Sequence, residues 1–342
     1  MQYIHFLIVL FLPLSIIAQD GGRSTFSFVN VDHSPRTEAM GGDVIAIFDN
    51  DVSLSPTTPS LLNPEMHNEL SFTFGDYFSD ISLFSFSYAR DFNGLGVLGV
   101  SLRAIHYGDF ERNDAAGYNQ GTFSANDQVV TFGIGKRVHD RLFLGVNLNL
   151  LNSTYDTYTS FALSSNISST YVNDDQRFTS TLLVRNLGRQ LDAYVSERES
   201  MPFEVLFAIS KELAHLPFRY HITYNNINTF NIESPYKLIS QTNIETGELE
   251  IREESIAKTV LRHFVIGGEL NPFRKSLFIR GGFNFQRRFD LLTISRPAMI
   301  GFSWGMGFRV AKYYFDYSRS SYHLSGTPNN FSIATNLSTF GF

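Results

Sequence analysis

Large and small side chains alternate along most of this chain, most clearly near its C-terminal end. The large residues of the stretch 299–310 occupy even positions: Ile300, Phe302, Trp304, Met306, Phe308 and Val310. The odd positions between them hold Gly301, Ser303, Gly305, Gly307 and Arg309. A strand places alternate side chains on opposite faces, whereas a helix would scatter the large residues around its circumference. The stretch therefore predicts a β-strand with one apolar face and one polar face.

The same period of two residues recurs from Leu70 to the end of the chain. It predicts about fourteen strands, at 70–77, 81–91, 95–107, 126–138, 141–155, 158–172, 177–189, 202–212, 218–230, 260–270, 276–287, 299–310, 313–322 and 330–342. An even number of amphipathic strands is typical of bacterial outer-membrane barrels.

The connections between these strands alternate in length. Short ones such as 91–94 and 271–274 are rich in Asn, Asp, Gly or Pro, which suit tight turns. Every second connection is generally longer, and the longest spans residues 231–259. Short turns at one end and long loops at the other are typical of a transmembrane barrel and not of a soluble sandwich. We therefore predict an all-β fold, a transmembrane antiparallel β-barrel.

The C-terminal residues fit this fold with one irregularity. The chain ends in Phe340-Gly341-Phe342, and a terminal aromatic residue that closes the last strand is typical of such barrels. Phe340 and Phe342 share a face, but Leu337 falls on the opposite one. A β-bulge near Leu337–Ser338 would reverse the register; a looser last strand is the alternative.

The first 18 residues predict a secretory signal peptide. Residues 6–17 form an apolar run, and Ala18 is small enough to precede a cleavage site. A membrane anchor is the alternative, but the run is shorter than the roughly 20 residues that a spanning helix needs. We expect cleavage after Ala18 and a mature protein in the outer membrane of a Gram-negative bacterium.

Residues 19–69 separate this leader from the predicted barrel at 70–342, and they show no sustained alternation. The segment is too long and irregular for one strand, yet its apolar residues, such as Met40, need burial. We predict that it packs within the barrel as a plug. Arg36 or Asp43 would then pair with wall charges such as Glu269 or Arg280. A periplasmic tail is the competing interpretation.

Composition narrows the possible chemistry. The chain has no Cys, which excludes disulfides and thiolate sites. Its net charge of −6 and the lack of a basic stripe argue against nucleic-acid binding. Two Ser-x-x-Lys matches, 234–237 and 255–258, lie in a polar loop and not on a helix of an α/β domain, so we expect no enzyme activity. The nine His residues show no metal-ligand spacing, and we expect no cofactor.

Two sets of charged residues are candidate functional sites. The first set falls on small or polar strand faces: Arg103, Glu269, Arg280, Arg309 and Asp316. It predicts an internal ion-pair network, with a charged channel lining as the alternative. The second set lies in the loop 231–259: Glu245, Glu248, Glu250, Arg252, Glu253 and Glu254. It suggests a docking surface for an extracellular partner, with a solvated loop as the alternative.

A family resemblance lies mainly in the segment before the barrel. It is carried by Gly21-Gly22-Arg23-Ser24-Thr25-Phe26-Ser27-Phe28, His33-Ser34-Pro35-Arg36-Thr37-Glu38-Ala39-Met40-Gly41-Gly42, Asp49-Asn50-Asp51-Val52-Ser53-Leu54 and Pro59-Ser60-Leu61-Leu62-Asn63-Pro64-Glu65-Met66-His67. With further pieces such as 185–191, these residues resemble the PorQ family of the type IX secretion system. The chain is more broadly similar to PorV and the FadL-type fatty-acid channels. Thr58-Pro59-Ser60-Leu61 replaces their usual Asn-Pro-Ala-Leu.

The resemblance implies a fold and a role. FadL-type relatives are fourteen-stranded barrels with the N-terminal segment packed inside as a plug. The PorQ resemblance implies a non-catalytic component of the cell-surface attachment complex that holds PorZ beside PorU and PorV. A FadL-like outer-membrane channel for hydrophobic ligands is the alternative function.

Overall fold

The structure is a computed structural model that describes residues 24–232, 240–242, 249–251, 255–273, 276–291, 299–322 and 326–341. The predicted signal peptide lies outside the described residues.

The described residues form sixteen strands. They are β1 (Glu69–Asp76), β2 (Ser82–Phe92), β3 (Gly96–Asn113), β4 (Asn119–His139), β5 (Leu142–Tyr155), β6 (Tyr158–Val172), β7 (Phe178–Asp192), β8 (Glu204–Glu212), β9 (Phe218–Tyr224), β10 (Ser240–Thr242), β11 (Leu249–Ile251), β12 (Phe264–Leu270), β13 (Leu277–Asn284), β14 (Phe302–Val310), β15 (Tyr313–Ser320) and β16 (Asn329–Asn336). Three α-helices accompany them: α1 (Pro35–Ala39), α2 (Ile256–Arg262) and α3 (Phe285–Leu291).

Fourteen of these strands close into one antiparallel barrel, and β10 and β11 pair only with each other. Neighbours in the barrel follow chain order, and β1 pairs with β16 to close the wall, from Glu69 opposite Asn336 to Asp76 opposite Asn329. The predicted fold class, an antiparallel barrel of about fourteen strands, is confirmed.

The alternation of the sequence divides the two faces of the wall. On β14, the side chains of Phe302, Trp304, Met306 and Phe308 are 39–48% exposed, whereas that of Ser303 is 4% exposed. The large residues thus point outward and the small ones point into the barrel. An outward apolar band is the surface that lipid covers in transmembrane barrels.

The two ends of the barrel differ. The end that carries the connections β2–β3, β4–β5, β6–β7, β8–β9, β12–β13 and β14–β15 is called the turn end here, and the opposite end is called the loop end. Ala311 and Lys312 alone join β14 to β15, and Ala311 has a φ of 53°. In outer-membrane barrels short turns face the periplasm and long loops face outward.

The wall is not equally tall around its circumference. Strands β3 to β7 have 14–21 residues each, whereas β8, β9, β1 and β12 to β16 have 7–9 residues each. One side of the barrel therefore rises above the other at the loop end.

Some predicted elements differ from the observed ones in their type of secondary structure. The connection 108–125 is mostly strand, because β3 and β4 continue to pair with each other there. The predicted strands 260–270 and 276–287 are shorter than expected, because α2 occupies the start of the first and α3 the end of the second. No helix in the described ranges is long and apolar enough to cross a membrane.

The last strand also differs from the prediction, since β16 ends at Asn336 without the expected bulge. A short 3₁₀ turn, Leu337–Phe340, follows it. The Asn336 side chain accepts a hydrogen bond from the Ser338 N–H at 3.0 Å, and the Leu337 N–H donates to the Asn68 carbonyl oxygen at 2.8 Å. Side-chain capping thus turns the chain out of the sheet instead of shifting its register.

Candidate functional site

Residues 24–68, called the lumen segment here, lie inside the barrel. Ser24 forms a parallel bridge with Ser200, in the β7–β8 connection at the loop end. Asn68 donates its N–H to the carbonyl oxygen of Ala89 at 2.9 Å, directly before β1 leaves the turn end. The segment therefore runs through the lumen from the loop end to the turn end.

Wall glycines let this segment approach the strands closely. A Cβ atom added to Gly282 on β13 would lie 2.0 Å from the carbonyl carbon of Met40, and one added to Gly145 on β5 would lie 2.2 Å from that of Pro59. Two atoms that are not bonded to each other do not approach this closely in proteins. The backbone of the segment therefore occupies space that only glycine leaves free.

The first ion-pair network joins the segment to the β12–β15 side of the wall. Arg36 contacts the carboxylates of Glu269 at 3.0 Å and Asp49 at 2.8 Å. Arg280 contacts the same Glu269 at 2.7 Å and also pairs with Asp316. Charges removed from water need such partners, and here each carboxylate faces a guanidinium.

A second set of ion pairs holds the segment on other sides. Arg185 of β7 contacts Asp43 of the segment at 2.7 Å and Glu204 of β8 at 2.5 Å. Arg287 of α3 contacts Glu38 of the segment at 3.1 Å. The lumen segment is thus fixed by charge pairs to β7, to β12 and to α3.

The predicted lumen charges divide into three groups. Glu269, Arg280 and Asp316 lie together in the first network. Arg103 is buried and donates to the carbonyl oxygen of Val29 in the segment at 3.3 Å, apart from that network. Arg309 is exposed at the turn end and lines a cavity there. The pair that we expected between Arg36 and Glu269 is present in this geometry.

The predicted partner loop can be placed only in part. Glu250 belongs to the small hairpin strand β11. Glu245, Glu248, Arg252, Glu253 and Glu254 lie outside the described residues.

Burial also perturbs titratable groups of the segment itself. Burial, with added repulsion from Asp43 and Glu38, raises the pKa of Asp32 to about 7. Burial, with repulsion from Arg103, lowers the pKa of His33 to about 3. Burial thus favours the uncharged form of both side chains.

A cavity of about 780 Å³ opens beneath the segment at the turn end. Its lining is largely charged and polar, and it includes Asp49, Glu69, Arg219, Arg309 and Tyr314. Such a lining suits water and polar groups more than an apolar ligand. In the part of the chain that the structure describes, no group of three or more His, Asp or Glu side chains is arranged to hold a metal ion.

Arg185 and Arg287 of this site were not predicted from the sequence. Arg185 follows Thr181 and Leu183 on the inward face of β7, so the alternation could have identified it. Arg287 was assigned to a predicted strand but lies on α3. The local sequence does not predict α3. The helix contacts the lumen segment, where Arg287 pairs with Glu38, and such a long-range contact cannot be read from the alternation of side chains.

No family model and no curated protein matches this chain. Solved structures do match it over 89% of its length. The toluene transporter TodX of Pseudomonas putida matches with a TM-score of 0.50 and 10% identity over 97% of its own chain. The fold is that of TodX. A ΔS2S3 variant of TodX, a monoaromatic hydrocarbon channel, gives the same TM-score and identity over 98% of its chain. A FadL homologue from Pseudomonas aeruginosa has a TM-score of 0.49, with 9% identity over 98% of its chain.

Proposed function

We propose that this chain is an outer-membrane channel of the FadL type that admits hydrophobic ligands and is closed at rest by the lumen segment. The observation that carries the proposal is the closed fourteen-strand barrel, whose fold matches that of a transporter of a small apolar molecule. The outward apolar band supports the membrane location.

Opening such a channel requires movement of the lumen segment. Its buried side chains include Met40, Val44, Ile47 and Leu61, each 3% exposed or less. If the segment shifts, these side chains and the wall positions they cover become an apolar surface for a ligand. The shift would break the ion pairs of Arg36 and Arg185, and these pairs therefore contribute to its free-energy cost.

Two neighbouring glycines on β13 provide a matched test. A Cβ atom at Gly282 would overlap Met40, whereas one at Gly281 would have its nearest neighbour 3.9 Å away. We expect purified protein in liposomes to take up toluene or oleate faster than empty liposomes do. Gly282→Ala should raise uptake because it loosens the segment, and Gly281→Ala should match the unaltered protein.

One result of this experiment would contradict the channel proposal. Uptake equal to that of empty liposomes for all three proteins, with heat-modifiable migration on a gel showing that each barrel is assembled, would exclude the channel function.

Three observations favour a second candidate function. The wall is shaped around the segment, the buried charges of Arg36, Glu38 and Asp43 are paired, and the turn-end cavity is polar, all of which suit a barrel that stays closed. Such a barrel would serve as an anchor. With the PorQ resemblance, this supports a role in the type IX attachment complex, where the chain would hold a PorZ-like surface protein beside PorU and PorV.

A pull-down from detergent-solubilised outer membranes, followed by mass spectrometry, tests the anchor. Recovery of type IX attachment subunits with the tagged chain is the expected result. A co-purified fatty acid without any protein partner would contradict the anchor and support the channel.

A further inference from the structure

The two longest strands, β3 and β4, continue beyond their neighbours at the loop end. β2 pairs with β3 no further than His106, and β5 pairs with β4 no further than Ala125. Past these points, within the described part of the chain, β3 and β4 pair only with each other, from Asp109 opposite Ser124 towards the tip. Residues 109–124 are called the ribbon.

The ribbon is shaped by its own side chains. The rings of Phe110 and Phe123 stack across its two strands, with centroids 5.3 Å apart. At the tip, the Asp114 carboxylate accepts the N–H groups of Ala116 and Tyr118, both at 2.9 Å. A preformed ribbon loses little conformational entropy when a partner binds.

One edge of the ribbon lies open. Asp80 of the β1–β2 connection lies against Gly108 of β3. Above that point the edge of β3 at residues 109–113 faces no other strand that the structure describes. Charged side chains and β-bulges usually protect such edges against unspecific pairing, and this edge has charged residues at Asp109, Glu111 and Arg112 and register shifts in its pairing with β4. It contains no Pro, so every residue from 109 to 113 keeps its backbone N–H for a strand of complementary charge.

The charge of the ribbon indicates what its edge would accept. Asp109, Glu111 and Asp114 are exposed acids, and the one basic residue, Arg112, already pairs with Asp156. A strand added to this edge would place its side chains beside those of Asp109 and Glu111. Opposite charges on adjacent strands stabilise their pairing, and like charges oppose it.

We propose that the exposed edge of β3 in the ribbon binds a basic β-strand of an extracellular protein, which extends the sheet by one strand. Main-chain hydrogen bonds would supply affinity, and the acidic side chains would select a partner strand rich in Lys or Arg. The inference goes beyond the channel proposal, and it does not depend on whether the lumen conducts.

A synthetic strand tests the proposal directly. The probe is a fluorescein-labelled peptide, Lys-Val-Lys-Val-Lys-Val-Lys, added to the purified full chain in a zwitterionic detergent, with anisotropy as the readout. We expect its Kd to be at least about tenfold lower than that of the Glu-Val counterpart. The double substitution Asp109→Lys with Glu111→Lys should reverse this preference, whereas Glu197→Lys, in another exposed loop at the same end, should not.

A second probe separates strand pairing from simple charge attraction. The same Lys-Val peptide with N-methyl groups on alternate residues keeps its charge but loses the donors on one edge. We expect it to bind at least about tenfold more weakly. Equal binding of the methylated and unmethylated peptides, or equal binding to the double variant and the unaltered chain, would overturn the proposal. Neither result would affect the liposome uptake assay or the pull-down.

Discussion

At the scale of single residues, Glu269 is a buried carboxylate that three arginines of the lumen share. Its side chain is 5% exposed, and Arg36, Arg280 and Arg219 lie within 3.0, 2.7 and 3.6 Å of it. Loss of this one carboxylate would leave several guanidinium groups close together without their shared counter-charge. The energetic consequence of such a loss is much larger than that of breaking a solvent-exposed pair.

We therefore expect Glu269→Gln to lower the free energy of unfolding in detergent by about 3–5 kcal/mol. Trypsin should also cleave the lumen segment faster, because Arg36 loses a partner. Glu212→Gln is the control, since Glu212 contacts Arg219 at 3.1 Å but is 44% exposed, and it should cost at most about 1 kcal/mol. Equal effects of the two substitutions would show that the network does not hold the segment.

Asp32 should make the stability depend on pH. Its pKa is raised from 3.8 to about 7, mainly by burial, so the folded protein holds this proton more tightly than the unfolded chain does. The stabilisation is complete below pH 4 and is lost as the pH rises through 7. We expect the free energy of unfolding to fall over that range by roughly 2–4 kcal/mol, and Asp32→Asn to remove that fall.

Urea titrations at several pH values would measure this effect. Asp140→Asn, at an exposed turn between β4 and β5, controls for a general change of net charge. An unchanged pH profile in Asp32→Asn would show that another group controls the dependence.

At the scale of elements, the sequence predicted strands best where both faces are clearly marked. The predicted bounds 158–172 coincide with β6, and 141–155 differ from β5 by one residue. The prediction of strands failed at the loop end of 260–270 and 276–287. The residues there have no neighbouring strand to pair with, and they belong to α2 and α3 instead. Apart from the pair of Arg36 with Glu269, the contacts between the lumen segment and the wall could not be predicted from the alternation of side chains. The alternation places Asn147 on the inner face of β5 and gives no sign that it contacts protein there. Its amide nevertheless donates to the carbonyl oxygens of Ser55 and Pro56 in the lumen segment.

The outward face of β5 gives a test of register. Val146 is 41% exposed near the middle of the strand, whereas Thr154 lies on the same face at the loop end. An arginine costs roughly 2–4 kcal/mol at the middle of a bilayer but only about 0–1 kcal/mol near its surface. We expect Val146→Arg to reduce the heat-modifiable, assembled form sharply and Thr154→Arg to leave it nearly unchanged. The opposite order would place the apolar band elsewhere.

At the scale of the whole molecule, the barrel is asymmetric. Its taller side, β3 to β7, carries the ribbon, and its shorter side carries α2 and α3, which are joined by the pair Arg262–Asp290. Alternation alone predicts strand number and the two faces of the wall. It cannot predict unequal height, because pairing partners beyond the membrane depend on loop contacts and not on the apolar period.

The path of the lumen segment also constrains the order in which the protein assembles. Asn68 continues directly into β1, and β1 forms the seam with β16 that completes the wall. The backbone at Met40 and Pro59 lies directly against Gly282 and Gly145 of the wall, so the segment fits the finished barrel closely. We therefore expect the segment to fold against the wall strands before the first and last strands of the barrel meet, as a template around which the cylinder is built.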